Sequence, residues 1–462
     1  MSALWTSAEI AQAVRGVASQ PFDVTGVAFD SREVGPGDLF VALKGEATDG
    51  HRFIDQAIAQ GAAGILSSDD IAHPHVLVKD TLAALRLMAT AARKRSGAKI
   101  IGVTGSVGKT GTKEALFQAL DRHAPGQTHR SLKSYNNHVG VPLSMARMPR
   151  DTRFAIFEMG MNHSGELSAL TRLVVPDVAI VTAIAPAHIE FFGTEEAIAE
   201  AKAEIFEGLA KGGTAIVPFD SPHVSRLYNR AERYAARVWT FGRGVGADVR
   251  ATEAVPVPGR GTLVTAKLPG AELCFTISAA GDHWVSNAMA VLAAVEAVGG
   301  DLAQAGLALS ELPQLAGRGA RTMVPAKGGE ALLIDESYNA NPLSMAATIG
   351  QLGKEKAARR IVVLGAMKEL GDQGAALHVG LAGPLNDAAV DRIILVGEEM
   401  TPLADALAGG QADVVHVDSV DRARAALTAD LCGGDAVLVK GSNSVGLSRL
   451  VAALTPATEE VN

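Results

Sequence analysis

The stretch Ile100-Ile101-Gly102-Val103-Thr104-Gly105-Ser106-Val107-Gly108-Lys109-Thr110 carries the residue types that bind a phosphate chain. Glycines let backbone N–H groups turn toward an anion, the Lys109 ammonium reaches for β- and γ-phosphates, and the Thr110 hydroxyl is suited to Mg²⁺. A helical pattern over 113–120 follows, so the positive end of a helix dipole adds to the same site. The stretch is shorter than the full Walker A form, because Val103 stands five positions before Gly108, where that form has glycine. Thr104, Gly105, Ser106, Val107, Gly108, Lys109 and Thr110 are therefore expected to cradle a nucleotide.

Further along, Glu158 leaves an apolar run over 154–157. A carboxylate at the carboxyl end of a strand, on the phosphate-loop edge, can hold Mg²⁺; the residue equally fits a strand end in solvent. His188, in Ala187-His188-Ile189-Glu190, fits a metal ligand, an orienting donor or a structural histidine. Lys202, in Ala201-Lys202-Ala203-Glu204, reads by itself as a solvated helix position.

These residues need a scaffold. Apolar strands expected over 100–104, 154–157, 178–182 and 214–217 alternate with helical patterns, which predicts a mostly parallel sheet covered on both faces. Ligands of such sheets bind beyond the carboxyl ends of the strands. Between 248 and 278, short alternating strands split by Pro258-Gly259 and Pro269-Gly270 predict antiparallel hairpins added to the same unit. The preceding segment mixes strands over 24–29, 39–43, 64–67 and 76–78 with helices over 53–60 and 81–95; Arg93, Lys94, Arg95 and Gly97 close the last of these. A third unit opens in the Gly- and Pro-containing stretch 311–321, with strands expected over 331–334, 360–364, 392–396 and 436–439. The expected organisation is α/β in three domains, 1–98, 99–312 and 313–462.

A chain of 462 residues fits about three domains. With 48% hydrophobic and 20% charged residues, the composition is that of a globular protein. The 42 Lys and Arg against 50 Asp and Glu give a net charge of −8, so no basic field invites nucleic acid. Cys274 and Cys432 lie far apart with no zinc spacing and are expected to be buried thiols in a reducing cytosol. The first thirty residues lack the apolar centre of a signal peptide, and no apolar run reaches the roughly 20 residues of a membrane span. A soluble, cytoplasmic protein without membrane insertion is expected.

Taken together, these stretches resemble the Mur ligases, the ATP-dependent amide-forming enzymes of peptidoglycan synthesis. The resemblance runs through Phe29-Asp30-Ser31-Arg32, Gly37 to Gly45, the phosphate loop, Asn136-Asn137, Glu158-Met159-Gly160, Ala187-His188 and Ala201-Lys202. It continues through Ser337-Tyr338-Asn339-Ala340-Asn341-Pro342, Val363-Leu364-Gly365 through Glu369-Leu370-Gly371, and Val439-Lys440-Gly441-Ser442. The Tyr-Asn-Ala-Asn-Pro stretch resembles the branch that joins D-alanyl-D-alanine to UDP-N-acetylmuramoyl-tripeptide.

The resemblance implies a small α/β UDP-binding domain, a central P-loop ATPase-like domain and a Rossmann-like C-terminal domain that closes over ATP, with ATP and two Mg²⁺ ions as cofactors and a monomeric enzyme. It also implies roles for particular residues. Lys109 and Thr110 would hold phosphates and the first Mg²⁺, Glu158 and His188 would ligate metal, and Lys202 would be the lysine that becomes carbamylated and so a carboxylate-like metal ligand. Arg318 would reach the terminal phosphate and Asn287 the adenine. Asp335 or Glu336, with Tyr338, Asn339 and Asn341, would complete the nucleotide pocket. Ser31, Arg32, Lys44 and Gly45 would face the UDP-sugar, and Asn136 and Asn137 the acceptor. Three positions depart from the family pattern: Trp284 stands where many relatives have Asn, Glu336 follows Asp335 where Asp-Asp is usual, and Gly111 replaces a Thr common after the phosphate loop.

Overall fold

The computed structural model describes residues 3–45, 48–186, 189–257, 260–279 and 281–455. Its strands assemble into one two-stranded ribbon and three larger sheets. The first large sheet runs Val17–Ala18, His75–Leu77, Gly64–Ser67, Asp38–Val41, Gly26–Ala28, parallel except at the Val17–Ala18 edge. The run expected as one strand over 24–29 is divided. Asp23–Val24 pairs antiparallel with Trp5–Thr6 in the ribbon, whereas Gly26–Ala28 pairs with Asp38–Val41, so the chain changes sheets at Thr25.

The central sheet has nine strands, in the order Glu272–Ile277, Gly261–Lys267, Val249–Val257, Arg237–Gly242, Thr214–Pro218, Val178–Val181, Lys99–Thr104, Phe154–Glu158, Thr128–Arg130. It is parallel from Val249–Val257 to Thr128–Arg130, and its last two strands on the other side are antiparallel. Both faces are buried. Ile101, Val103, Ile156, Ile180 and Ile216 face the helices Lys109–His123 and Asp282–Ala297, while Ile100, Phe157, Val181 and Val217 form the opposite core. This two-sided burial explains the near-continuous apolar runs in the sequence. From Lys99–Thr104 the chain goes to one side, to Thr128–Arg130 at the edge and then Phe154–Glu158, before crossing to Val178–Val181 on the other side, so the order reverses there and leaves a crevice at the carboxyl ends.

The added hairpins extend the central sheet as expected. Gly270 closes the second one, its N–H donating to Glu296 Oε1 at 2.9 Å; Pro258 and Gly259 lie outside the described residues. On Glu272–Ile277, Phe275 and Ile277 point inward while Cys274 alternates outward, so this thiol is exposed and not buried as expected; Cys432 is half-buried.

The third sheet runs Ala320–Ala326, Gly329–Glu336, Ala436–Lys440, Arg360–Gly365, Arg392–Val396, Asp413–Val417, parallel after its first strand. The strands Thr128–Arg130, Arg237–Gly242 and Asp413–Val417 carry polar residues and were not foreseen; the first and last are edge strands. Helix starts follow their caps: the Asp80 carboxylate accepts from the Ala83 N–H at 2.9 Å, and Asn341 caps Pro342–Gly353 with proline in its first turn. Among the described residues no helix is long and apolar enough to cross a membrane.

Candidate active site

The phosphate loop leaves Lys99–Thr104 at the crevice and enters the helix Lys109–His123. The neighbouring strand's exit pins it. The Ser106 N–H donates to Ala183 O at 2.7 Å, Ser106 Oγ donates to Ala185 O at 3.0 Å, and Thr182 Oγ1 donates to Val107 O at 2.5 Å. Gly108 has φ of 88°, a left-handed backbone that favours glycine, and a Cβ there would stand 2.9 Å from Asn287 Oδ1 and displace that amide. Lys109 Nζ donates to Gly105 O at 2.6 Å. Burial pushes its pKa down, the Glu158 carboxylate pulls it back up, and the Arg318 charge acts with burial.

Glu158, 1% exposed, ends the strand beside the loop. Thr110 Oγ1 donates to its Oε2 at 2.8 Å and Asn136 Nδ2 to its Oε1 at 2.9 Å, while the buried Lys113 Nζ lies 3.9 Å from Oε2. Lys202 is not solvated as its helix position suggested. It is 2% exposed and lines the same cavity, and burial, then the Lys109 charge, holds its amine well below the ordinary lysine range.

From the third sheet comes the opposite wall. Arg318 sits between Gly317, φ 72°, and Gly319, φ 91°, with its guanidinium over the Tyr338 ring at 4.3 Å from the centroid. Asp335 builds this turn: its Oδ2 accepts from the Gly317 N–H at 2.7 Å, and its Oδ1 from the Ser337 N–H at 3.0 Å and Ser337 Oγ at 2.6 Å. Of the two candidate acids it is Glu336 that faces the cavity, with Lys440 Nζ 3.3 Å from its Oε2. Lys440 also donates to Asn339 O at 2.9 Å.

The resulting cavity, of about 400 Å³, brings together Ser106, Val107, Gly108, Lys109, Thr110, Asn136, Glu158, Lys202, Asn287, Arg318, Tyr338, Asn339 and Asn341. Thr104, Gly105, Asp335 and Asn137 are not in its lining. Asn137 instead supports the turn leading into Gly140–Ala146, its Oδ1 accepting from the Val139 N–H at 3.1 Å and the Gly140 N–H at 2.9 Å. Sequence reasoning missed His283, Glu369, Lys440 and Asn443, which also line it. Lys440 had a readable signal, a charge ending an apolar strand on the same sheet edge. His188 lies outside the described residues. Ser31, Arg32 and Gly45 line a separate cavity of about 470 Å³ with Phe29 and Phe53; Lys44 is not part of its lining.

Among the described residues no group of three or more His, Cys, Asp or Glu is placed to hold a metal. Mg²⁺ at nucleotide sites takes only one or two protein oxygens beside phosphates and water, and the paired Thr110 hydroxyl and Glu158 carboxylate fit that need.

Family models match along most of the chain: the Mur ligase family catalytic domain at residues 23–95, the Mur ligase middle domain at 103–295, and the Mur ligase glutamate ligase domain at 321–443. The UDP-N-acetylmuramoyl-tripeptide--D-alanyl-D-alanine ligase of Synechocystis sp. is 36% identical over 445 residues, 94% of this chain and 93% of its own. A crystal structure of MurF from Acinetobacter baumannii superposes with a TM-score of 0.84 at 29% identity, covering 97% of this chain and 98% of that one. The MurF ligase from Thermotoga maritima in complex with ADP matches with a TM-score of 0.77 at 27% identity, covering 93% and 97%.

Proposed function

The chain belongs to the Mur ligase family, and on that premise we propose that it joins D-alanyl-D-alanine to UDP-N-acetylmuramoyl-tripeptide at the expense of ATP, forming UDP-N-acetylmuramoyl-pentapeptide, ADP and phosphate. The observation that carries this reading is one cavity in which a phosphate loop, a buried carboxylate, a buried lysine and an arginine from another unit converge, in a chain that follows D-alanyl-D-alanine ligases along nearly its whole length.

Joining a carboxylate to an amine in water is unfavourable, so the carboxylate is first activated. A carboxylate oxygen of the tripeptide attacks the γ-phosphorus of ATP, the bond to ADP breaks, and an acyl phosphate results. Two anions meet in that step. Lys109 and Arg318 place positive charge on either side of the transferring phosphoryl group. The amine of D-alanyl-D-alanine then attacks the acyl carbon, phosphate leaves, and the nitrogen gives up a proton. Positioning of the reactants supplies up to about 7 to 11 kcal/mol in favourable intramolecular cases. The acyl phosphate hydrolyses readily, so water must be kept out, and the Arg318–Tyr338 wall from the third unit serves that closure.

Thr110 and Glu158, with His188, are the residues we assign to Mg²⁺, taken as two ions, which supply charge neutralisation on the phosphates when bound. Lys202 is assigned as a carbamate: its buried amine is biased toward the neutral form that adds CO₂, forming an N–C bond with loss of a proton. Asn287, Tyr338, Asn339 and Asn341 are assigned to the nucleotide, Ser31, Arg32 and Gly45 to the UDP-sugar, and Asn136 to the acceptor side. We take residues 1–98 as the UDP-sugar-peptide domain, 99–312 as the ATP domain and 313–462 as the closing domain, in a monomer acting in the cytoplasm.

The test is phosphate release by the purified protein with ATP, Mg²⁺ and the UDP-tripeptide, offering D-alanyl-D-alanine, diaminopimelate, lysine or no amine. Release that needs D-alanyl-D-alanine, with a pentapeptide product by mass, supports the reading; dependence on another amine moves the chain to a sister ligase. Lys109→Ala is expected to abolish release in a folded protein, and near-normal ADP production by it removes the phosphate loop from the mechanism.

A further inference from the structure

Two of the positions that depart from the family pattern, Gly111 and Trp284, lie against each other. A Cβ on Gly111 would stand 3.1 Å from Cη2 and 3.4 Å from Cζ2 of the Trp284 indole. Gly111 is the third residue of the helix Lys109–His123 and is not among the glycines with positive φ. Its backbone therefore has no need of glycine, and glycine weakens a helix relative to other residues. What calls for glycine here is the ring packed on the helix's first turn.

The ring occupies a junction. Trp284 lines the large cavity with Lys109 and also a smaller one of about 160 Å³, which it shares with Arg318 and whose walls include the apolar side chains of Ala279, Leu312, Ile334 and Leu352. Phosphates belong at the Lys109 end. The flat, least polar part of a nucleotide is its base, and the smaller cavity offers it an aromatic face and aliphatic walls.

Resting on the nucleotide site proposed above, we propose that Gly111 and Trp284 act as one unit, a stacking platform for the nucleotide base, in which the missing side chain at 111 is the condition for the indole's position. The indole then recognises the base by its face. Stacking of a base on an aromatic ring is a contribution that alanine substitution exposes as about a 5- to 150-fold loss of binding.

The experiment measures ADP and pyrophosphate binding by calorimetry in the full-length protein and in Trp284→Ala, Gly111→Thr, the double variant and Lys109→Ala. ADP binding is expected to weaken by about 5- to 150-fold in Trp284→Ala while pyrophosphate binding stays unchanged. Gly111→Thr is expected to weaken ADP in the presence of the indole and to have no further effect in its absence. If the two single effects multiply in the double variant, or if pyrophosphate falls with ADP in Trp284→Ala, the platform is overturned. If Trp284→Ala binds ADP normally while Lys109→Ala loses both ligands, the platform fails and the nucleotide site stands. Unchanged ADP binding in both variants overturns the nucleotide site and the platform together.

Discussion

Asp335→Asn separates turn-building from chemistry. The carboxylate holds two backbone donors on different oxygens, Gly317 N–H on Oδ2 at 2.7 Å and Ser337 N–H on Oδ1 at 3.0 Å. An amide presents one oxygen and one NH₂, so whichever way it turns, one of these N–H groups faces another donor. A buried hydrogen bond to a charged acceptor is worth about 1.5–3 kcal/mol. If that energy is lost from the Gly317–Gly319 turn, the population holding Arg318 over Tyr338 falls by about 10- to 150-fold. The expected result is a drop of that size in kcat/KM for ATP, with KM for D-alanyl-D-alanine unmoved, and faster amide exchange at 317 and 319. A variant with ATP kinetics within about twofold of the parent and unchanged exchange would falsify the assignment of Asp335 as the residue that positions Arg318.

Lys202→Ala is expected to be inactive and to regain activity with short carboxylates such as acetate or formate; full activity without rescue sinks the carbamate. Tyr135→Phe removes a hydroxyl that donates to both oxygens of Glu33, at 2.7 and 2.8 Å, and should cost about 1–2 kcal/mol at this partly exposed contact, read as an earlier melting transition of the first domain. His129 is pushed down to about 4, first by desolvation, so the unfolded chain takes up its proton at higher pH than the fold does. Its contribution to stability is complete above about pH 6.5 and is lost toward pH 4 with a slope of up to about 1.4 kcal/mol per pH unit, which His129→Gln should flatten; an unchanged urea-midpoint profile refutes it.

The parts of the site legible in sequence were those written locally. Lys109 and Thr110 follow from contiguous residues between an apolar strand and a helix, and Glu158 from its place at a strand end. The choice between Asp335 and Glu336 stayed open because a strand sends adjacent side chains to opposite faces, and only the sheet's surroundings say which face is the cavity. Asn136 and Asn137 were both read as facing the acceptor, but only Asn136 reaches the cavity and Glu158, while Asn137 accepts from the Val139 and Gly140 N–H groups in a turn. Lys202 looked solvated because a single helix carries no record of what packs over it. The contact of Trp284 with Gly111 joins segments far apart in sequence, and neither carries a local sign of the other. The division of the run at 24–29 between two sheets is likewise a matter of tertiary partners.

Glu336 and Lys440 are opposite partners in the parallel register of Gly329–Glu336 with Ala436–Lys440, and each is the last residue of its strand. A slip of one residue would bring Asp335 or Val439 to that place and at the same time turn the whole apolar set of the strand, Leu333 and Ile334 among it, onto the wrong faces. The charge pair lining the cavity is thus proofread by the core: a miswired site would register as a failure to fold rather than as a well-folded, silent enzyme. Variants of Glu336 or Lys440 that fold and lose activity can therefore be read as chemistry.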